Sequence, residues 1–183
     1  MQKIKPILII LIIFSIISLV FANDTAKAAQ IQVYFSPDGG CTNAIVDEIL
    51  KSKKEILVQA YSFTSKEISK ALIKAKKSGV KVEIILDKSN VDPAATSNLN
   101  YSSADFIAHI GIPIYIDDKH SIAHNKIMII DKETVITGSF NFTWSAEKYN
   151  AENLLILKSE EMVDKYINNW NIHRSHSYIY KGR

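Results

Sequence analysis

The stretch from Glu55 to Leu86 limits the folds open to this chain more than any other. Glu55 to Phe63 (EILVQAYSF) is dense in branched and aromatic residues and predicts a strand. A helix follows. Thr64 and Glu67 stand at capping-box spacing, and Ile68, Ala71, Leu72 and Ala75 repeat at i, i+3, i+4, i+7 before Gly79 stops the pattern. Val80 to Leu86 is then apolar enough to be buried on both faces, as in a parallel sheet. The flanks continue the alternation. Gln32 to Phe35 predicts a strand, Ser36 to Gly40 a turn, and Thr42 to Lys53 a helix with Ile45 and Ile49 on one face. Asp87 to Asn100, with Pro93, predicts a loop; Ser102 to Ile110 predicts a helix and Ile112 to Ile116 a strand. Lys126 to Ile130 and Thr134 to Thr137 pair around Asp131-Lys132-Glu133, Leu154 to Leu157 adds a strand, and Ser159 to Asn171 closes as a helix burying Met162, Tyr166, Ile167 and Trp170. The class is α/β in layers, with one domain at 31–172 and a loosely ordered basic, aromatic tail at 173–183.

Residues 1–22 stand outside this pattern. Lys3 and Lys5 precede an apolar run from Ile7 to Phe21 that ends at Val20-Phe21-Ala22, the three-part form of a cleavable export signal. An uncleaved anchor is the alternative, although the run is short for a span of about 20 residues. Residues 23–30 form a polar tether, with a second cleavage point after Ala28. The expected location is periplasmic or secreted. Losing the leader removes Lys3 and Lys5, so 20 basic residues face 19 acidic ones. Bulk charge therefore gives no case for a nucleic-acid partner. Cys41 is the single cysteine, so no internal disulfide forms; it is expected as a small buried residue near a helix start, with an intermolecular disulfide or a lipid attachment as the alternatives.

Chemistry concentrates between His124 and Asn153. On a strand His124 and Lys126 share a face. Asp131 falls where that strand turns. Gly138 allows close backbone approach to a ligand, Ser139 and Asn141 carry donors, and Glu152 precedes an apolar strand. This set suits a phosphodiester. Imidazole serves as nucleophile or as general acid and base near neutral pH. Lysine stabilises growing charge on a phosphoryl oxygen, and a carboxylate beside histidine fixes its tautomer.

The run His124-x-Lys126-x4-Asp131 followed by Gly138-Ser139-x-Asn141 resembles the HKD motif of the phospholipase D superfamily. Phe35-Ser36-Pro37, Ala60-Tyr61-Ser62-Phe63-Thr64, Gly138 to Thr143 and Ala151-Glu152-Asn153 are similar to its small exported bacterial nuclease branch, over roughly Ile31 to Trp170. The resemblance implies a mixed β-sheet flanked by helices on both faces. It implies a site built from two HKD motifs, so a chain with one motif works as a homodimer sharing one active site. One His124 attacks phosphorus and the partner's His124 protonates the leaving oxygen. Lys126, Ser139 and Asn141 hold phosphate oxygens, and Glu152 orients His124. Asp131 belongs to the catalytic motif or holds the strand end. No metal or other cofactor is implied.

The leading expectation is a non-specific endonuclease, with Lys51, Lys53, Lys54 and the Lys66, Lys70, Lys74, Lys77 stripe meeting phosphate backbones. That stripe has an ordinary solvated face as its alternative. The second expectation is a phospholipase D, with Trp144 or Phe142 helping lipid access. Trp144 is read first as a packing residue. The third is a non-catalytic nucleic-acid-binding module. Asp117-Asp118 is read as solvated loop rather than a metal site. His109, His173 and His176 receive no role, and His120 at most lines the pocket mouth.

Overall fold

The protein is described by a computed structural model over residues 29–92 and 102–183. The expected leader, most of the tether and the Pro93 loop lie outside these residues. Among those described, no helix is long and apolar enough to cross a membrane. In chain order the elements are β1 (Gln30–Ser36), α1 (Cys41–Lys51), β2 (Glu55–Ala60), α2 (Lys66–Lys77), β3 (Lys81–Asp87), a 3-10 turn (Lys88–Asn90) and α3 (Ser103–His109). Then come β4 (Ile114–Asp117), β5 (Lys126–Ile130), β6 (Thr134–Gly138), α4 (Trp144–Lys148), β7 (Glu152–Lys158), α5 (Glu160–His176) and β8 (Tyr178–Tyr180).

The strands form one mixed sheet in the order β1-β7-β6-β5-β2-β3-β4-β8. β2, β3 and β4 run parallel, with Ala60 opposite Leu86 and Asp87 opposite Asp117. The other pairings are antiparallel. Side chains alternate across this sheet. Ile56, Val58, Ile84, Leu86, Ile114, Ile116, Met128 and Ile130 join the large core beneath α1, α2 and α3. Leu57, Ile85, Ile127, Ile129, Val135 and Leu157 face α5, where Val163 and Trp170 complete a second core. Both faces of the sheet are thus covered, as the continuous apolar strands required.

Local departures from expectation have local causes. The cap of α2 is Ser65, not Thr64: Ser65 Oγ accepts from Ile68 N at 3.3 Å. Thr64 N and Ser65 N both donate to the Phe142 carbonyl at 3.0 and 2.9 Å, which keeps the chain extended one residue longer. α1 has no side-chain cap of its own. Glu147 of α4, a helix absent from the sequence reading, supplies one by accepting from Gly40 N at 3.0 Å and Thr42 N at 2.7 Å. Cys41 is buried at the start of α1, and burial pushes its thiol up to about 11, which makes it unreactive.

The tail is the largest correction. It is not loosely ordered: α5 runs on to His176, and β8 pairs with β4. Buried Asp105 anchors it, accepting from Tyr180 Oη at 2.6 Å, Arg183 N at 2.9 Å and Arg183 Nη2 at 3.1 Å. A three-residue strand is too short to announce itself by alternation, and its anchor lies far back in the sequence.

Candidate active site

The site forms at the end of the sheet where β5 begins. Lys126 opens β5 opposite Ala60 of β2. Tyr61 N donates to Asn125 O at 2.8 Å, which holds the approach to β5 against the exit from β2. The exposed His124 ring packs on Tyr61 with ring centroids 4.7 Å apart. Lys126 is only 6% exposed. Its Nζ donates to His124 O at 2.9 Å and stands 5.3 Å from the Tyr61 ring centre, so carbonyl and aromatic face share the charge without cancelling it. Burial pulls the ammonium below its usual range, and the Glu152 carboxylate partly opposes that shift.

Gly138 ends β6. A Cβ there would run into the Asn153 carbonyl oxygen, so only glycine permits this approach. Asn153 O accepts from Ser139 N at 3.1 Å and Phe140 N at 3.2 Å. Ser139 Oγ in turn accepts from Asn153 N at 3.0 Å, which leaves the hydroxyl proton free to donate outward. Asn141 sits between the fully buried Phe140 and Phe142, and the Phe142 strand segment bridges Phe63. Its side-chain Oδ1 is buried with no hydrogen-bond partner.

Glu152 opens β7 near these groups, but its Oε1 accepts from Asn150 Nδ2 at 3.0 Å rather than from the imidazole. Asp131 is not brought to the site at all. It lies at the opposite end of β5, where its carboxylate accepts from Lys53 N, Lys54 N and Glu55 N at 2.7, 2.7 and 3.0 Å. Asp131 and Lys132 both have positive φ, 55° and 59°, in the tight β5–β6 turn. Asp131 therefore fastens the hairpin to the start of β2, and the expected catalytic role gives way to the structural one.

Four supports were not singled out from the sequence. Tyr61 floors the imidazole, and Asn153 braces Ser139. Asn90 Nδ2 donates to Tyr61 O at 2.6 Å. Asp87 accepts from Ala123 N at 2.7 Å, fixing the residue before His124. The sequence signal for Tyr61 was available, since it directly follows the strand beside β5. The others follow from long-range register. Trp144 is 53% exposed and so is no packing residue, whereas Phe142 is core. Asp117 likewise departs from expectation. It is fully buried, and His120, His173 and His176 all approach it. This is the set of described residues able to hold a metal ion.

A family model described as "Cardiolipin synthase, PLD-like domain" matches residues 45–173. The chain belongs to the phospholipase D superfamily. Like the relatives named next, it is a phosphodiester hydrolase. A Rickettsia conorii protein named phospholipase D is 42% identical over 142 residues, covering 78% of this chain and 68% of that protein. A mitochondrial cardiolipin hydrolase of Canis lupus familiaris is 31% identical over 119 residues, 65% of this chain and 44% of that one. Among solved structures, the phospholipase D family member Nuc from Salmonella typhimurium superposes with a TM-score of 0.77 at 34% identity, covering 85% of this chain and all of the other. NucT from Helicobacter pylori, at 21% identity and a TM-score of 0.69, shares the fold.

Proposed function

We propose that this superfamily member hydrolyses its diester in two steps through a covalent phosphohistidine on His124. The observation that carries the proposal is Lys126: a buried ammonium whose hydrogen bond goes to a neutral carbonyl, set beside an exposed imidazole. A buried cation left without an anionic hydrogen-bond partner is costly unless an anion arrives to meet it. A phosphodiester is such an anion. His124 attacks phosphorus while Lys126, Ser139 and Asn141 take the non-bridging oxygens. The leaving alkoxide needs a proton, and one chain has one HKD motif. A second copy then supplies its own His124 as acid, and afterwards as the base that activates water. Glu152 turns from Asn150 to the imidazole once positive charge develops there.

The substrate reading we favour is a phospholipid headgroup diester. Trp144 and Tyr149 are exposed, their rings 5.1 Å apart, and exposed Phe35 lies next to Ser36, the β1 partner of Glu152. Aromatic side chains at a rim suit a lipid–water boundary. The names of the Rickettsia and mitochondrial relatives support the same reading. This reverses the order expected from the sequence. A nucleic-acid backbone is the second reading, supported by the exposed Lys66, Lys70, Lys74 and Lys77 along α2.

Purified protein in excess EDTA is offered phosphatidylcholine vesicles, plasmid DNA and single-stranded DNA, with His124→Ala as control. Choline release that the variant lacks supports the lipid reading. Cleavage of DNA alone supports the second. Binding of DNA by the wild type without turnover of any substrate overturns the catalytic proposal in favour of a binding module.

A further inference from the structure

We infer that Asp117, His120, His173 and His176 form a zinc site on the face of the sheet opposite His124. Asp117 ends β4 and is wholly buried. His173 Nδ1 lies 2.6 Å from Asp117 Oδ2, His120 Nδ1 3.0 Å and His176 Nε2 3.3 Å. Three imidazole nitrogens thus converge on a single carboxylate oxygen. One or two would satisfy it by hydrogen bonding. The third is left over: His176 Nε2 is buried and makes no hydrogen bond. The ligand atoms of all four residues lie within 4.8 Å of one another.

That arrangement fits a tetrahedral ion. Bonds of about 2.0–2.2 Å to nitrogen and carboxylate oxygen give ligand-to-ligand edges of about 3.3–3.6 Å. The observed separations from Asp117 need to open by a few tenths of an ångström or less, except at His173. Three imidazoles and one carboxylate suit zinc better than magnesium or calcium, which take oxygen ligands. The surroundings are those of a supported site. His173 and His176 share a face of α5 at i, i+3. Asp117 Oδ1 accepts from Lys119 N at 3.2 Å, and Lys88 Nζ donates to His120 O at 2.9 Å. All four ligands being protein side chains, the site is closed and structural rather than catalytic.

Its place in the fold gives it a use. Strand alternation puts Asp117 with Tyr115 on the α5 face, and Lys126 with Met128 on the other. β5, β2, β3 and β4 are consecutive, so three strand spacings, roughly 14 Å, separate Asp117 from Lys126 along the sheet. Zinc there would pin α5 to the end of β4. Through His120 it would also tie down the loop that carries His124 four residues later.

The test measures zinc directly and so stands apart from the hydrolase reading. Tag-free protein is stripped by chelation and titrated with zinc chloride against a chromophoric chelator. One zinc per chain with sub-micromolar affinity is expected, and a higher melting temperature in zinc than in EDTA. Cobalt chloride should give the intense visible bands of tetrahedral Co(II). His176→Ala and His120→Ala should each weaken zinc binding at least tenfold, while His124→Ala leaves it unchanged. His120 is the safer variant for folding, since its side chain is 44% exposed. No stoichiometric zinc, an octahedral cobalt spectrum, or full affinity in His120→Ala and His176→Ala overturns the inference.

Discussion

At the scale of single residues, the proposed site separates groups that act from groups that hold. His124 is exposed and rests on a ring, so replacing it removes chemistry and little packing. His124→Ala should lower kcat by about 10³-fold or more while the melting temperature stays within a degree or two of wild type, read by steady-state kinetics beside calorimetry. Asp131 behaves in the opposite way. Three backbone N–H groups lose a charged acceptor in Asp131→Ala, at a cost of about 1–3 kcal/mol by urea unfolding, and kcat of the folded fraction should not change. A large loss of kcat in that variant would restore the aspartate to the catalytic set. The sequence could not separate these roles, because H-x-K-x4-D fixes spacing along a strand. Spacing alone does not say that a five-residue strand carries the two ends of the motif to opposite ends of the sheet's strands.

Among elements, those with a strong repeat were legible and those defined by distant partners were not. β5 was expected at Lys126–Ile130 and is found there, because five residues of alternating duty and a turn define it locally. The Gly138-Ser139-Phe140-Asn141 segment was legible as a candidate site, but its bracing by Asn153 depends on β6–β7 register. Gly138→Ala should destabilise the fold by about 1–3 kcal/mol and lower kcat, as the new methyl forces the Asn153 carbonyl away from Ser139 and Phe140. Unchanged kinetics in that variant would mean that Ser139 and Asn141 need no such placement. The C-terminal elements depend on Asp105. Burial alone would raise its carboxyl, but bonds from Tyr180, Ser102 and Arg183 hold it well below the usual carboxylate range. Its folded-state value is therefore depressed. The stability it contributes is complete above about pH 5, where the unfolded carboxylate is almost fully ionised, and is lost as pH falls through the unfolded value toward the folded one. Circular-dichroism melts between neutral and acid pH should show this decline in the wild type and a flatter profile in Asp105→Asn. Identical profiles would remove Asp105 from the account.

For the whole molecule, the half-site makes a quantitative demand. If two copies share one centre, each mixed dimer of His124→Ala with Lys126→Ala still lacks one histidine and one lysine, and mixing the variants should not restore full activity. Full recovery would show that the centre is not shared in this way, and sedimentation in parallel reports whether a dimer forms. The α/β class and helices on both faces were legible because parallel strands must be covered, whereas the sheet order was not, since it is set by which edges meet. That order has a temporal consequence. β1 waits for β7, and β4 waits for β8, so each end of the sheet is closed by a strand that is translated later. A chain emerging from the ribosome at about 5–20 residues per second would hold the middle of its sheet open at one side until β7 emerges and at the other until β8 emerges. Such a polypeptide stays unfinished until β8 has emerged.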